Sequence, residues 1–387
     1  MNYDVAIIGG GASGLACAVR LLRNAPKLNI AVIERGERLG KQRASTGNGQ
    51  RNVTNTDMSA EHYFGNKALV QKIALSSDRI SLEERLFHCM LNADELGRVY
   101  PVGRQASALV DSLIHDLRRG GADILLNTRV TAIDKSLKIT LSSGQTLTAN
   151  FAVLCTGGKA QKQYKTDGSS YALAQSLGHG LTPLYPSLVQ LKTDTEHIKS
   201  LKGIRVYCGV TAFVNGQALA RTRGDVIFTE YGVSGNAIFA ISPYVAERRG
   251  VVLSLNFLPF EDGKIISNIE EKKKSGYPDG ELLSGTLHNQ LGRAIIRRCG
   301  SNRAEDVCRA AKSFTLDVVG TLGFDYAQVT RGGVETDGVT EELESKYVSN
   351  LFLAGELLDV DGCCGGYNLH WAFSSGYAAA DGILKRL

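Results

Sequence analysis

The chain has 387 residues, 43% hydrophobic and 21% charged, with a formal net charge of +5. That length exceeds one ordinary domain, and the composition fits a folded chain with a substantial core, excluding a disordered or fibrous one. The charge is modest and scattered, so no nucleic-acid partner is expected, while an anionic small molecule or a phosphate-bearing cofactor would be attracted. No segment has the length and apolarity of a membrane span, and no basic-then-apolar signal precedes the first strand, so no membrane association and a cytoplasmic location are expected. Eight cysteines without CxxC pairing fit free thiols in a reducing compartment. No Cys/His group has zinc spacing, and no metal is expected.

In chain order, an apolar strand from Val5 to Ile8 runs into Gly9-Gly10-Gly11-Ala12-Ser13-Gly14 and then directly into a helix. Gly9 permits the tight turn, Gly11 leaves room for a pyrophosphate against the main chain, and Gly14 lets the helix pack close on the strand. The helix start at Ala12 and Ser13 offers free N–H groups and positive partial charge to phosphate. A second strand, Asn29 to Ile33, ends in Glu34, placed to accept hydrogen bonds from a ribose. Residues 40–55 are a polar Gly/Asn-rich loop beside this unit, too polar for core, and are read as touching a ligand.

Residues 66–90 read as helical, and 106–119 carry apolar residues at 109, 110, 113, 114 and 117, one helical face. Strands are expected over 122–126, 128–133, 137–142 and 146–149. A further buried strand from Phe151 ends in Thr156-Gly157-Gly158, a second glycine approach to the same crevice. From about 187 short β-rich runs separated by glycine turns suggest a barrel or small sandwich to 260. Residues 261–320 are charged and helical; the run Glu270 to Lys274 reads as a solvated face. An apolar strand from Asn350 then closes in Gly355-Glu356, and a terminal helix runs from Tyr367 to Leu384 with Gly365-Gly366 at its mouth.

The opening motif serves NAD and FAD alike. The last segment favours FAD: Glu356 can reach a ribityl hydroxyl, and the Gly365-Gly366 helix start can aim N–H groups at the flavin N1/O2 edge, where reduced flavin carries negative charge. Only one complete GxGxxG is present, so NADH or NADPH would act as a transient co-substrate. Cys363-Cys364 reads either as a redox-sensitive pair or as two small residues in a tight turn. Tyr367 and His370 are candidate proton donors, packing being the commoner role on a helix. No catalytic residue is assigned.

Several stretches together resemble the BaiN-like (YhiN-type) NAD(P)/FAD-dependent oxidoreductase flavoproteins. They are Val5 to Gly14, Glu34-Arg35, Gly40-Lys41, Thr46-Gly47-Asn48-Gly49, Asn52 to Asn55, Thr156 to Gly158, Phe228 to Gly235, Gly332 to Val334, Ala354 to Gly362, and Gly365 to Leu369. Gln50-Arg51 stand where that family has Arg-Cys, and Lys159 to Lys165 replace a Pro-bearing stretch. The resemblance implies an α/β fold: a Rossmann-like, glutathione-reductase-like FAD-binding domain over 1–186 and 321–387, an inserted β-barrel domain over 187–260, and a small helical domain over 261–320. It implies that Glu34 holds the adenosine ribose and Val130 the adenine through its backbone. Gly355 and Glu356, with Gly366, Tyr367, Asn368 and Leu369, would hold the flavin end. Arg35, Lys41, Gly47, Asn48, Gly49 and Asn52 join the cofactor set through the same motifs. The expected activity is hydride transfer between an organic small molecule and flavin N5, by a monomer or small homo-oligomer. A flavin amine oxidase and an FAD protein acting through a macromolecular partner remain open alternatives.

Overall fold

The computed structural model describes residues 1–40, 52–75 and 88–387. The opening apolar run forms β1 (Asn2–Ile8), buried from Val5 to Ile8. At Gly9 φ is +109°, a left-handed value that L side chains tolerate badly, and the chain passes at once into α1 (Ala12–Asn24). β2 (Ile30–Ile33) is wholly buried and runs parallel to β1, as continuous apolar strands do in a sheet covered on both faces. Then come β3 (Thr54–Asn55), β4 (Tyr63–Gly65), α2 (Lys67–Ile73), β5 (Leu91–Ala93) and β6 (Arg98–Pro101). The order β3-β6-β5 makes a small antiparallel sheet that local periodicity did not announce, because its strands have two to four residues. α3 (Ala106–Arg119) buries Leu109, Val110, Leu113 and Leu117, the face read from the sequence.

β7 (Asp123–Leu125) joins β2 in parallel. β8 (Val130–Ile133), β9 (Lys138–Leu141) and β10 (Thr146–Leu154) form a meander. Sequence reading split β10 in two near Asn150. The structure makes it one strand whose polar half pairs with β9 and whose apolar half lies in the main sheet beside β1. α4 (Ser169–Ser176) and β11 (Tyr185–Ser187) lead on.

The chain divides into two compact units, Met1–Tyr185 with Val329–Leu387, and Pro186–Gln328. The second unit contains β12 (Leu191–Thr193), β13 (Arg205–Val214), β14 (Gln217–Phe228), β15 (Gly232–Ser234), α5 (Asn236–Val245), β16 (Val251–Asn256), α6 (Asp262–Lys274), α7 (Asn289–Cys299), α8 (Ala304–Lys312) and β17 (Phe314–Thr321). Its strands close into an antiparallel barrel in the order β12-β15-β14-β13-β16-β17. β17 falls in the stretch read as helical, and α5 in the stretch read as strands. Barrel closure pairs β12 with β17 across more than a hundred residues, which no local pattern encodes. Helices α6 to α8, expected as a small domain of their own, share one hydrophobic cluster with the barrel strands.

The first unit resumes with β18 (Val329–Arg331), β19 (Leu351–Leu353), β20 (Val360–Gly362) and α9 (Tyr367–Leu384). β19 pairs parallel with the apolar half of β10, so the parallel core reads β7-β2-β1-β10-β19. The fold is thus α/β, a Rossmann-type unit with a closed barrel inserted. No helix among the described residues is long and apolar enough to cross a membrane.

Candidate functional site

The C-terminal ends of β1, β10 and β19 meet at one edge of the parallel sheet, where ligands of open α/β sheets bind. Two kinds of glycine are present there. A Cβ on Gly9 would lie 2.3 Å from Cys155 O, and one on Gly14 would lie 2.0 Å from Gly9 O; both are fixed by packing. A Cβ on Gly11 or Gly157 would meet nothing within 4 Å among the described residues, so these two present bare backbone to open space. Among the described residues no side chain caps α1 at Gly11, and its first turn carries no acid, so its leading N–H groups can take an anion. The Ser13 side chain bonds Cys155; burial outweighs that bond and pushes the Cys155 thiol up to about 12, leaving it inert.

Glu34 is fixed by its own neighbours. Its Oε2 accepts from Gly10 N–H at 2.8 Å and its Oε1 from Gly36 N–H at 2.6 Å. The carboxylate is oriented at the end of β2 with lone pairs left over for hydroxyl donors. Its backbone carbonyl accepts from Thr128 N–H at 2.9 Å, two residues before Val130, which is buried opposite Leu141. Arg35 goes elsewhere: its Nη1 donates to Asp167 Oδ1 at 2.8 Å. Against the desolvation of burial, bonds from Arg35 and Ser169 hold the Asp167 carboxyl well below the usual carboxylate range.

The Thr156-Gly157-Gly158 turn packs on Thr330 and Glu356. A Cβ on Gly158 would lie 2.4 Å from Thr330 Oγ1 and 2.5 Å from Glu356 Oε1. Thr330 Oγ1 accepts from Lys159 N–H (2.7 Å) and Ala160 N–H (2.9 Å), and Glu356 Oε1 accepts from Thr330 N–H at 2.7 Å. Thr156 Oγ1 is buried with no hydrogen-bond partner among the described residues. Buried hydroxyls are rarely left so. Gly355, at φ +79°, sits against the first turn of α1, where a Cβ would be 2.5 Å from Ser13 Oγ. Its N–H donates to Ser375 Oγ at 2.9 Å and its carbonyl accepts from Trp371 Nε1 at 3.1 Å. α9 thereby clamps Gly355-Glu356 onto the glycine turn near the other end of the chain.

At the mouth of α9, Gly365 and Gly366 have φ of +140° and +104°. A Cβ on Gly366 would lie 2.5 Å from Thr54 O, and Asn55 Nδ2 donates to Gly365 O at 3.0 Å. The segment that begins at half-buried Asn52 is therefore brought against the helix start. Asn368 spends its amide on the turn: Oδ1 accepts from Gly362 N–H at 2.8 Å, and Nδ2 donates to Gly362 O at 2.7 Å. Tyr367 is buried, stacks on His62 with ring centroids 4.5 Å apart, and donates to Asp57 O at 3.1 Å. Burial, then Asp57 and the two neighbouring cysteines, push its phenol up. Leu369 packs against the main core. Lys41, Gly47, Asn48 and Gly49 lie outside the described residues.

His370 is a strut. It is fully buried, with Nδ1 2.9 Å from Thr54 Oγ1 and Nε2 2.7 Å from Ala74 O. The carbonyl requires a proton on Nε2, and both ring nitrogens are engaged inside the protein, so the packing role holds. Sequence reasoning gave Thr54 no role beyond its place in the 40–55 loop, and it missed Thr330, Ser375 and Gly376. A Cβ on Gly376 would lie 2.3 Å from Ser13 O, so α9 crosses the start of α1 backbone to backbone. The small run Ser374-Ser375-Gly376 inside an apolar helix was the available signal; Thr330 had none.

A family model described as the HI0933-like protein Rossmann domain matches residues 3–382. The chain is 34% identical over 405 residues to 3-dehydro-bile acid delta(4,6)-reductase of Clostridium scindens, covering 99% of each. It is 28% identical to ribosomal RNA dihydrouridine synthase of Haemophilus influenzae, covering 98% of each. Among solved structures, the open conformation of a flavocytochrome c3 fumarate reductase is similar in fold, with a TM-score of 0.53 at 16% identity over 99% of this chain and 78% of that one. The chain belongs to the HI0933-like Rossmann family, a family of flavin-dependent oxidoreductases, and the resemblance to BaiN-like proteins is borne out.

Proposed function

From that membership we propose that this protein is an FAD-dependent reductase of carbon–carbon double bonds made electron-poor by a carbonyl, with NADH or NADPH as the hydride source. The two relatives are named for a delta(4,6)-reduction on a 3-dehydro-bile acid and for formation of dihydrouridine. An alkene conjugated to a 3-oxo group and the 5,6 bond of uracil share one reactivity: hydride adds to the carbon remote from the carbonyl and a proton to the nearer one.

The observation that carries the cofactor reading is the seating of Gly355 on Ser13, together with the bare backbone of Gly11 and Gly157 and a Thr156 hydroxyl that has no partner among the described residues. These residues fit a dinucleotide whose pyrophosphate lies on Gly9 to Gly14 and the N-terminus of α1, with its ribose on Glu34 and its adenine on the backbone of Val130. Thr156 to Gly158 with Gly355-Glu356 would take the ribityl chain, and Gly366 to Leu369 would take the pyrimidine edge through main-chain N–H groups, since the Asn368 amide is occupied. Arg35 contributes through its backbone while its guanidinium pairs with Asp167. Bound FAD supplies a hydride acceptor and donor at N5. The protein's part is to hold that group, and the N-terminus of α9 would steady the negative charge of its reduced form.

A visible spectrum and an FAD titration test the first step: a colourless protein that takes up no FAD overturns the reading. Anaerobic NADH or NADPH should bleach the flavin bands, and a 3-oxo-4-ene bile acid should restore them. Restoration by a uridine-containing ribosomal RNA fragment alone would move the substrate to RNA. Oxygen uptake with amines and no bleaching by nicotinamides would make the protein an oxidase.

A further inference from the structure

Cys363 and Cys364 are consecutive, neither is in a disulfide, and they occupy the turn between β20 and α9. Cys364 is exposed and Cys363 half-buried, in contrast to Cys17, Cys155, Cys208 and Cys308, which are buried. Desolvation raises the Cys364 thiol above its ordinary range and the Arg98 guanidinium opposes that shift in part, so the case for exchange rests on the exposure and adjacency of the two sulfurs and on the small thiolate fraction present at neutral to alkaline pH. The turn is tied at both ends: Cys363 N–H donates to His62 O at 2.8 Å, and Asn55 Nδ2 donates to Gly365 O at 3.0 Å. Immediately after it, Gly365 and Gly366 adopt positive φ, conformations that let this short loop bend without side-chain strain.

We propose that Cys363 and Cys364 form a vicinal dithiol site that exchanges with low-molecular-weight disulfides and captures trivalent arsenicals. In the exchange the exposed Cys364 thiolate attacks glutathione disulfide, forming a Cys364–glutathione bond and releasing one glutathione thiolate. The Cys363 thiolate then attacks the Cys364 sulfur, and a second glutathione thiolate leaves. The two protein thiols are oxidised to one disulfide, the glutathione disulfide is reduced to two thiols, and the two cysteine protons end on them. Consecutive Cα atoms are about 3.8 Å apart, below the usual disulfide span, so the ring is strained and readily reduced again. Strained, accessible disulfides are the labile, regulatory kind. The same turn opens α9, so closing the ring pulls on the Cys363–His62 and Asn55–Gly365 bonds that set the helix mouth. A consequence that rests on the cofactor reading is that the oxidised protein binds FAD several-fold more weakly.

The test uses the full chain, reduced and then treated with glutathione disulfide or phenylarsine oxide, with intact mass and peptide mapping. The expected product with glutathione disulfide is lighter by two hydrogens with the link mapped to Cys363–Cys364; with phenylarsine oxide, arsenic forms one bond to each sulfur of the same peptide while its oxide oxygen leaves as water with the two thiol protons. C363S should instead stop at a glutathione adduct on Cys364, and neither C363S nor C364S should hold the arsenical at this turn. Glutathione adducts alone in the unsubstituted chain, or an arsenical retained on that peptide in either variant, would overturn the proposal. The mapping in the unsubstituted chain stands even if a variant folds poorly. FAD titration of the reduced and oxidised forms is read separately: uptake by neither form defeats the cofactor reading and leaves the thiol exchange standing.

Discussion

At the scale of single residues, the site is built mostly from backbone, and its side chains are spent on holding that backbone. Glu34 ties Gly10 and Gly36, Asn368 ties Gly362, and Ser375 and Trp371 tie Gly355. The exception is Thr156, whose buried Oγ1 has no partner among the described residues. Thr156→Val keeps the shape and removes the hydroxyl. In the cofactor-free protein it should leave stability unchanged or raise it, because a desolvated polar group disappears. In the titration it should weaken FAD by about 1 kcal/mol, roughly fivefold. Equal destabilisation of both forms would show that Thr156 serves the fold alone.

At the scale of elements, α1 and α9 cross where Gly376 faces the Ser13 carbonyl. Gly376→Val puts methyl groups into a space that a single Cβ already overfills against backbone. A loss of about 3 kcal/mol or more in urea unfolding is expected, together with loss of FAD uptake, because Gly355 loses its clamp. The loop after α4 carries a second element-level device. His179 is buried, with Nε2 2.9 Å from Ser345 Oγ and its ring edge-on to Tyr347. Burial lowers its pKa from the ordinary 6.5. The folded state therefore resists a proton that the unfolded chain accepts: the contribution is complete above about pH 6.5 and declines as the pH falls below it. Unfolding midpoints measured at several pH values should show this acid-side decline, and His179→Asn should flatten it. Elements long enough for a period, such as α1, α3 and α9, were legible in the sequence. β3, β5 and β6 were not, because a strand of two to four residues has no alternation to read.

At the scale of the whole molecule, each unit has its own hydrophobic cluster. The chain leaves and re-enters the first unit side by side: Thr182 N–H donates to Gly333 O at 2.9 Å, and Gly333 N–H to Thr182 Oγ1 at 2.9 Å. Residues 186–328 expressed alone should unfold cooperatively. Joining residue 185 to 329 through a short Gly/Ser linker should leave a unit that still takes up FAD. Failure of the joined unit to bind FAD while the full chain binds it would mean that the inserted unit contributes to the cofactor site.

The sequence alone determined the glycine turn, the acid at the end of β2, the apolar strands of the parallel core and the Gly-Gly start of α9. Each is a local demand, a positive φ, an unbroken apolar run or a bare helix start, and local demands are written in neighbouring residues. Only the tertiary structure decided that Gly355 rests on Ser13, that Thr330 holds the Thr156 turn, that His370 is a strut, and that β17 closes the barrel. These depend on contacts between segments more than a hundred residues apart, where the meaning of a threonine, a histidine or a glycine is fixed by what packs against it.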